Sequence, residues 1–362
     1  MKLRQATFED FKAIMAVCAR NGLSVTSFDK WTHLWADNPF YQAREGFPIG
    51  WVLEDDDAGV VGTLGNIPME YELNGQRLLA AVASSYAVDR EHRNSSLRLA
   101  LTYVGQNKVD LWMSATANLS AGQVYAAMKL KPMPQPYPDQ ITFWISGYLG
   151  FAGSALRKKK VWGAGGLRFP LGAALWCKDL LRRRIKRPDA GKVGVVESFD
   201  SRFDAFWDVL RQRPNRLRAV RDRAALAWHF KSALLNKAAS ILVLEESGHL
   251  VGYLVLVRRD DKGSGLRRYH IVDLQVSEDG PQQAQALVLE ATRSAREEGV
   301  HVVELMGFNA LKHRWLEPLR PRRRQLGYCP FFYKLKNPAM FPALDQPEAW
   351  DPCWFDGDAS LS

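Results

Sequence analysis

Apolar residues alternate with small or polar residues in two stretches of the chain, and this pattern predicts two β-hairpins. The first stretch covers residues 51–65 and the second covers residues 242–256. In each, an apolar strand leads into an acidic turn with glycine and returns through a Val-Gly dipeptide, which is typical of a hairpin. A further strand and then a helix follow each hairpin, and the helices are predicted at 95–108 and 281–298. The pattern therefore predicts two copies of one α/β unit.

The length of the chain supports this interpretation, because 362 residues exceed what one small core needs. We expect an N-terminal domain over 1–148, a linker over 149–192, a C-terminal domain over 193–337 and a tail over 338–362. The fold class is α/β, with a mixed, mostly antiparallel sheet flanked by helices in each domain. Residues 326–336 are predicted to form the last strand of the second copy.

The segment 114–132 predicts a strand, an asparagine turn and a short helix. Asn118 follows the strand and can cap the helix, and Tyr125 lies two helical turns further on. A tyrosine at this place can act as a general acid, because a phenol with a pKa of about 10 carries a proton at neutral pH. A core tyrosine on an amphipathic helix gives the same local pattern.

The strand predicted at 79–88 and the helix after it enclose a turn where backbone N–H groups can hold a pyrophosphate. Ser84 and Ser85 on this strand can position an acceptor or a water, or they can simply fill the core. Neither face of the strand carries an acidic side chain. The general base is therefore left unassigned.

Asn118, Ala121, Val124 and Tyr125 resemble the N-x-x-A-x-x-[LV]-Y-x-x-x-G-F segment of the GNAT (GCN5-related N-acetyltransferase) superfamily. Lys129 departs from that segment, because it stands where a glycine is usual. In the family this tyrosine protonates the thiolate of coenzyme A. The resemblance therefore implies that Tyr125 is a general acid.

GNAT proteins place R-x-x-G-x-[GA] in the pyrophosphate turn, where this chain keeps Arg93 but has Ser96 and Arg98 at the small positions. The changed loop either still binds an acyl-CoA or is a structural relic. The resemblance implies acetyl-CoA or another acyl-CoA as cosubstrate. The cosubstrate contacts that it implies are Ala87, Val88, Arg93, Asn94, Ser95, Ser96, Leu97, Arg98, Asn118 and Ala121.

The repeated layout resembles a tandem GNAT protein, which implies an N-acyltransferase acting on an amine or hydroxyl of a small-molecule or sugar acceptor. Bacterial proteins of this type are often associated with cell-surface polysaccharide assembly. The second copy has an acidic turn at 277–283 and no tyrosine in 307–313, so we interpret it as structural or substrate-binding. Two alternatives stay open: transfer of an aminoacyl group from transfer RNA, and a non-catalytic scaffold at the membrane.

Residues 151–192 carry 12 Lys/Arg and 2 Asp/Glu, an excess equal to the formal net charge of +10 of the whole chain. A solvated linker, a helix docked on an anionic membrane surface and a site for an acidic polymer are all compatible with this segment. A nucleic acid is not favoured, because stacking aromatics would have to line the same groove as the arginines.

The four cysteines are far apart and lack a C-x-x-C pair or clustered histidines, so neither a metal site nor a disulfide framework is expected. No signal peptide and no run of about 18 apolar residues is evident. We expect a cytoplasmic protein, with peripheral contact at the inner face of the membrane as an option.

Overall fold

The computed structural model describes residues 1–135, 140–182, 191–277, 280–307, 309–327, 330–340 and 342–361. Cys329, the basic run at 183–187 and the acidic pair at 278–279 lie outside these residues. The strands are β1 (Lys2–Gln5), β2 (Gly50–Asp55), β3 (Gly59–Leu73), β4 (Gln76–Val88), β5 (Leu111–Ser114), β6 (Lys131–Pro132), β7 (Gln140–Ile145), β8 (Val193–Val196), β9 (Arg218–Ala219), β10 (Ala239–Glu246), β11 (His249–Arg258), β12 (Arg268–Val276), β13 (Val302–Met306), β14 (Arg322–Gln325) and β15 (Phe332–Leu335). The helices are α1 (Phe11–Arg20), α2 (Phe28–Ala36), α3 (Pro39–Gln42), α4 (Ser96–Val104), α5 (Leu119–Ala127), α6 (Tyr148–Lys158), α7 (Ala164–Arg182), α8 (Ser201–Leu210), α9 (Arg223–Leu235), α10 (Pro281–Glu297) and α11 (Ala310–Leu316).

The first compact unit consists of Met1–Pro138, Arg211–His229 and Gly327–Ser362. Its sheet has the strand order β1-β2-β3-β4-β5-β15-β6, and β9 pairs with β3. Only β4 and β5 run parallel; the other neighbours are antiparallel. The middle of β4, residues 78–84, is buried throughout. Its small side chains let helices α1 and α4 approach the strand closely.

The core of this unit is rich in aromatic side chains. Trp51, Tyr103, Trp112, Tyr125 and Phe332 pack with aliphatic residues of the central strands. Each aromatic of this size buries roughly 150–250 Å² on folding, so this cluster contributes a large share of the hydrophobic stabilisation. Phe332 belongs to β15, which shows that the last strand is part of the core.

The second compact unit consists of Asp139–Leu210 and Phe230–Leu326. Its sheet has the order β14-β7-β13-β12-β11-β10-β8. Only β12 and β13 run parallel here, so this pair corresponds to β4 and β5. Both predicted hairpins are confirmed, as β2–β3 and as β10–β11. The two sheets fit the predicted tandem arrangement.

The last strand of each copy pairs in the other copy's sheet. β7 follows the first copy in sequence, yet it pairs with β13, with Trp144 opposite Val303. β15 follows the second copy, yet it pairs with β5, with Tyr333 opposite Met113. The prediction that residues 326–336 complete the second copy is therefore wrong. The observed units also differ from the predicted domain ranges, because each unit draws on separate parts of the chain.

The segment predicted as a linker is largely helical, since α6 and α7 form a helical hairpin in the second unit. The tail is ordered against the first unit. Trp350 is buried and donates its Nε1–H to the Leu344 carbonyl at 2.8 Å. Within the described ranges, no helix is both long and apolar enough to cross a membrane.

Candidate active site

The parallel strands β4 and β5 pair over a short length and then separate. Their pairing runs from Ala80 opposite Leu111 to Val82 opposite Met113. β4 continues to Val88, paired with β3 only. Beyond Val82, the edge of β4 that faces β5 therefore has no paired strand among the described residues.

The Tyr103 hydroxyl lies at the point where these strands part. It donates to the Ala81 carbonyl at 2.6 Å and accepts the Met113 N–H at 3.2 Å. The side chain thus bridges the two backbones, which satisfies polar groups that would otherwise be unpaired in the core. Burial raises the pKa of Tyr103 well above its ordinary value, so this phenol stays neutral and serves as a structural bridge.

A β-bulge shapes the end of β4. The register shifts between Thr63 and Gly65, where β4 contributes one extra residue, and Ser85 adopts a φ of 49°. Ser85 lies near the Cys18 thiol and partly offsets the rise in pKa that burial gives to that thiol. Ser84 packs against Gly65, where an added Cβ would lie 2.5 Å from the Ser84 Oγ. Both serines predicted beside the acceptor therefore have partners inside the fold.

Tyr125 lies on α5, which begins as the sequence predicts. The Asn118 Oδ1 accepts the Ala121 N–H at 2.9 Å and caps the helix. The helix ends in a turn where the Leu130 N–H reaches the Tyr125 carbonyl at 3.0 Å. Lys129, at the position usually taken by glycine in the GNAT segment, adopts a left-handed φ of 62°. The backbone thus keeps the shape that favours glycine, although the side chain differs.

The Tyr125 side chain is buried between two aromatic rings. The Tyr86 ring lies 5.8 Å from it and the Phe332 ring 6.0 Å, measured between ring centroids. Burial raises the pKa of Tyr125 well above its ordinary value; the neighbouring Ser114 side chain opposes this rise, and the Tyr86 and Asp358 charges add to it. The phenol therefore holds its proton throughout the physiological pH range.

Asp358 in the tail is a carboxylate that the sequence analysis did not assign to the site. The Thr116 hydroxyl, just beyond β5, donates to its two oxygens at 3.1 and 3.2 Å. Gly357 has a φ of 90°, and a Cβ added there would lie 2.4 Å from the Ala115 Cβ. Only glycine lets the tail approach β5 this closely, so it fixes the position of Asp358.

Asp358 and the nearby Asp356 differ in their surroundings. Asp356 accepts hydrogen bonds from Tyr71 at 3.0 Å and from the Cys353 backbone at 2.8 Å, and Arg221 lies 3.6 Å away. Asp358 has no Lys or Arg partner among the residues that the structure describes. Burial raises the pKa of Asp358 to about 6, although the Thr116 hydrogen bond lowers it in part. A carboxyl group of this kind can accept a proton near neutral pH.

The predicted pyrophosphate turn forms a 3₁₀ helix. A 3₁₀ helix, Arg90–Ser95, precedes α4, and the Ser96 N–H donates to the Arg93 carbonyl. That N–H group is therefore already bonded. Arg93 and Arg98 are exposed, and within the described ranges neither forms an ion pair or a side-chain hydrogen bond. Their guanidinium groups remain available for an anion.

The other predicted cosubstrate contacts are spread over β4, the 3₁₀ helix, α4 and α5 of the first unit. Ala87 and Val88 are buried in β4, opposite Thr63 and Gly62 of β3. Around the turn, Asn94 and Leu97 are exposed, Ser95 and Ser96 are half-buried, and on α5 Asn118 is exposed while Ala121 is half-buried.

A cavity of about 570 Å³ opens elsewhere in the first unit, at the turn between β3 and β4. Glu72, Asn74 and Arg211 are among its lining residues. From Gly75 to Val88 the strand extends roughly 40 Å, so this cavity lies at the opposite end of β4 from the bulge. It does not belong to the candidate site. The described residues contain no group of His, Cys, Asp and Glu side chains that could hold a metal ion.

Three solved structures are similar to this chain over 92% of its length. One is a GCN5-related N-acetyltransferase from Anabaena variabilis ATCC 29413, at 12% identity and a TM-score of 0.55, with 72% of that chain covered. Another is a conserved protein of unknown function from Enterococcus faecalis V583, described as a probable N-acyltransferase, at 13% identity, a TM-score of 0.56 and 72% coverage. The third is a GCN5-related N-acetyltransferase from Kribbella flavida, at 11% identity, a TM-score of 0.55 and 70% coverage.

No protein-family model matches the sequence, and no curated protein matches it either. The structural likenesses show the fold, which is GNAT-like and confirms the predicted fold class.

Proposed function

We propose, from the premise that this chain has a GNAT-like fold, that its first unit transfers an acyl group from an acyl-CoA to an amine. The observation that carries this proposal is the placement of Tyr125 and Asp358 at the end of β5: Ser114 and the Asp358 charge both act on the Tyr125 phenol, and Asp358 is held there by Thr116. A buried neutral phenol and a carboxyl group with a raised pKa are the acid and base that such a transfer needs.

The residues of the first unit suit an acyl-CoA. Its pyrophosphate is an anion, and the exposed guanidinium groups of Arg93 and Arg98 can bind it. Leu97 and Leu101 are exposed one turn apart on α4 and offer an apolar surface next to these arginines. The predicted contacts at Ala87, Val88, Asn94, Ser95, Ser96, Asn118 and Ala121 belong to this proposal. An acyl-CoA supplies a thioester, whose carbonyl carbon is open to attack by an amine.

The proton transfers follow from the two side chains. The amine nitrogen forms a bond to the carbonyl carbon, and the carbon–sulfur bond breaks. Asp358 accepts the proton that the nitrogen loses, directly or through a water molecule. Tyr125 donates its hydroxyl proton to the sulfur, so a thiol leaves in place of a thiolate. The proton on Asp358 then returns to the phenol through solvent, and the site is reset.

Titration of acetyl-CoA and longer acyl-CoAs into the full-length protein tests the proposal, together with release of free thiol in the presence of a panel of amines. We expect micromolar binding and amine-dependent thiol release. Absence of binding at millimolar concentration for every acyl-CoA would contradict the proposal. Transfer that depends on aminoacyl-tRNA instead would assign the site to a different donor.

A further inference from the structure

The helical hairpin of α6 and α7 presents an apolar face to solvent. On α7, Phe169, Trp176 and Leu180 recur at helical spacing and are about half exposed. Leu181 at the end of the helix is 87% exposed, and Trp162 in the turn between the helices is 95% exposed. Aromatic and leucine side chains of this size rarely gather on the surface of a monomer unless another apolar phase covers them.

The two helices of the hairpin pack closely on each other, and α6 is anchored to the rest of the second unit. Gly172 of α7 lies against Leu149 of α6, and an added Cβ would be 2.9 Å from the Leu149 Cδ2. Arg157 of α6 donates to the Ser264 carbonyl at 2.7 Å. These contacts fix the orientation of the hairpin, so the apolar side chains on its opposite face point toward solvent.

A second anchor involves the single acidic residue of the hairpin. Asp179 accepts from the Tyr148 hydroxyl at 3.1 Å and from Arg322 at 2.7 Å. Its charge is therefore neutralised within the second unit.

Apart from Asp179, the charged residues of the hairpin are all positive. Between Tyr148 and Leu181 there are six Lys/Arg and one Asp/Glu, and that acid is Asp179. Lys158, Lys159 and Lys160 are exposed at the turn, next to Trp162. A surface that combines Trp, Phe and Leu with flanking lysines matches the interface of an anionic bilayer, where the rings enter the headgroup region and the ammonium groups meet the lipid phosphates.

We propose that the α6–α7 hairpin docks this protein on the surface of a membrane that contains anionic lipid. An acidic polymer would satisfy the lysines but leave Trp162, Trp176 and Leu181 in water. A second copy of the chain would cover the apolar residues but bring two sets of positive charges together. An anionic bilayer satisfies both properties of the face.

Cosedimentation of the full-length protein with vesicles tests this, using phosphatidylcholine alone and phosphatidylcholine with about 30 mol% phosphatidylglycerol. We expect binding to the anionic vesicles only. Replacing Phe169 and Trp176 with serine should weaken that binding by about 10-fold or more, because the apolar insertion is lost. The variant Lys158→Glu/Lys159→Glu/Lys160→Glu should weaken it at least as much, and about 0.5 M salt should do the same. Leu235→Ser is the matched control, since Leu235 is exposed on α9, and it should change nothing.

Insertion is measured with an environment-sensitive fluorophore on Cys177. This thiol is exposed on α7, whereas Cys18 and Cys353 are buried. In a Cys329→Ser background, the label should shift to the blue on anionic vesicles alone. Absence of vesicle binding would overturn the proposal. Vesicle binding that is unchanged when Phe169 and Trp176 are replaced would also overturn it, because it would indicate a purely electrostatic surface for acidic polymers. Dimers that dissociate on Trp176→Ser, without any vesicle binding, would assign the face to a second copy.

Discussion

The two units carry an equivalent cap and helix after their parallel strand, but the buried residue seven positions after the cap differs. Asn118 in the first unit and Asn309 in the second each accept a backbone N–H bond at 2.9 Å and start the helix. The residue seven positions later is Tyr125 in the first unit and Leu316 in the second, and both are buried. The first has a proton to donate and the second has none.

This difference distinguishes the requirement for core packing from the requirement for proton transfer. A leucine fills the core position in the second unit while the cap, the helix and the parallel strands are kept. Packing therefore does not require a hydroxyl at this place. The Tyr125 hydroxyl is best explained by a role beyond packing, and the following predictions test that explanation.

Tyr125→Phe should have the largest effect. The substitution keeps the ring against Tyr86 and Phe332 but removes the proton, so kcat for acyl transfer should fall by about 10²–10⁴-fold with KM little changed. Steady-state measurement of thiol release gives both constants.

The matched control lies in the second unit. The Tyr253 hydroxyl is buried and donates to Asp273 at 2.6 Å. Tyr253→Phe should lower the free energy of unfolding by about 1–3 kcal/mol without changing kcat. Equal loss of activity in both variants would mean that Tyr125 acts through stability alone.

Asp358→Asn should have the second largest effect, a decrease of about 10²-fold in kcat/KM near pH 8. In the wild type, kcat/KM should rise as the pH increases through about 6, because the base must lose its proton. This rise should vanish in the variant, which keeps the size of the side chain and its hydrogen bond from Thr116. A pH profile that is the same in both proteins would exclude Asp358 as the base.

Asp358→Asn should lower the activity but raise the stability of the folded protein. Folding raises the pKa of this carboxyl group from its unfolded-state value to about 6. The free energy of unfolding therefore decreases as the pH rises between these two pKa values, and it stays lower at every pH above about 6. Asp358→Asn should therefore raise the free energy of unfolding at neutral pH by about 1–2 kcal/mol, after allowance for partial exposure. Chemical denaturation at about pH 5 and pH 8 measures the difference.

Patterns over a few neighbouring residues predicted those features of the fold and the site that depend on short stretches of sequence. The hairpins, the Asn118 cap and the place of Tyr125 follow from alternation and helix-start signals over a few residues. The exchange of β7 and β15 could not be predicted, because both strands are short and largely apolar and would fit either sheet. Asp358 was missed for a related reason: its tail is rich in Pro, Asp and Trp, and only long-range contacts fix it beside Thr116.

Arg93→Ala and Arg98→Ala should have a moderate effect on the cosubstrate. Each removes one exposed guanidinium from the turn before or within α4, so the Kd for acyl-CoA should rise by about 5–20-fold with kcat preserved. Lys108→Ala is the control, because Lys108 is an exposed cation in the loop after α4. Titration calorimetry at low and high salt should show the largest difference at low salt. An unchanged Kd in both arginine variants would place the pyrophosphate elsewhere.

The smallest effect concerns a feature that the two units share. Lys129 ends the helical segment of the first unit with a φ of 62°, and Arg320 ends that of the second with a φ of 48°. Both are exposed, so their side chains contribute little packing. A left-handed conformation costs a side-chain-bearing residue about 1–2 kcal/mol, part of which glycine loses again in backbone entropy. Lys129→Gly and Arg320→Gly should therefore each raise the free energy of unfolding by up to about 1 kcal/mol, measured by denaturant titration. Both turns hold a left-handed residue, but only the first follows a tyrosine. Any change in kcat that accompanies Lys129→Gly and not Arg320→Gly would therefore show that the turn after Tyr125 also positions the phenol.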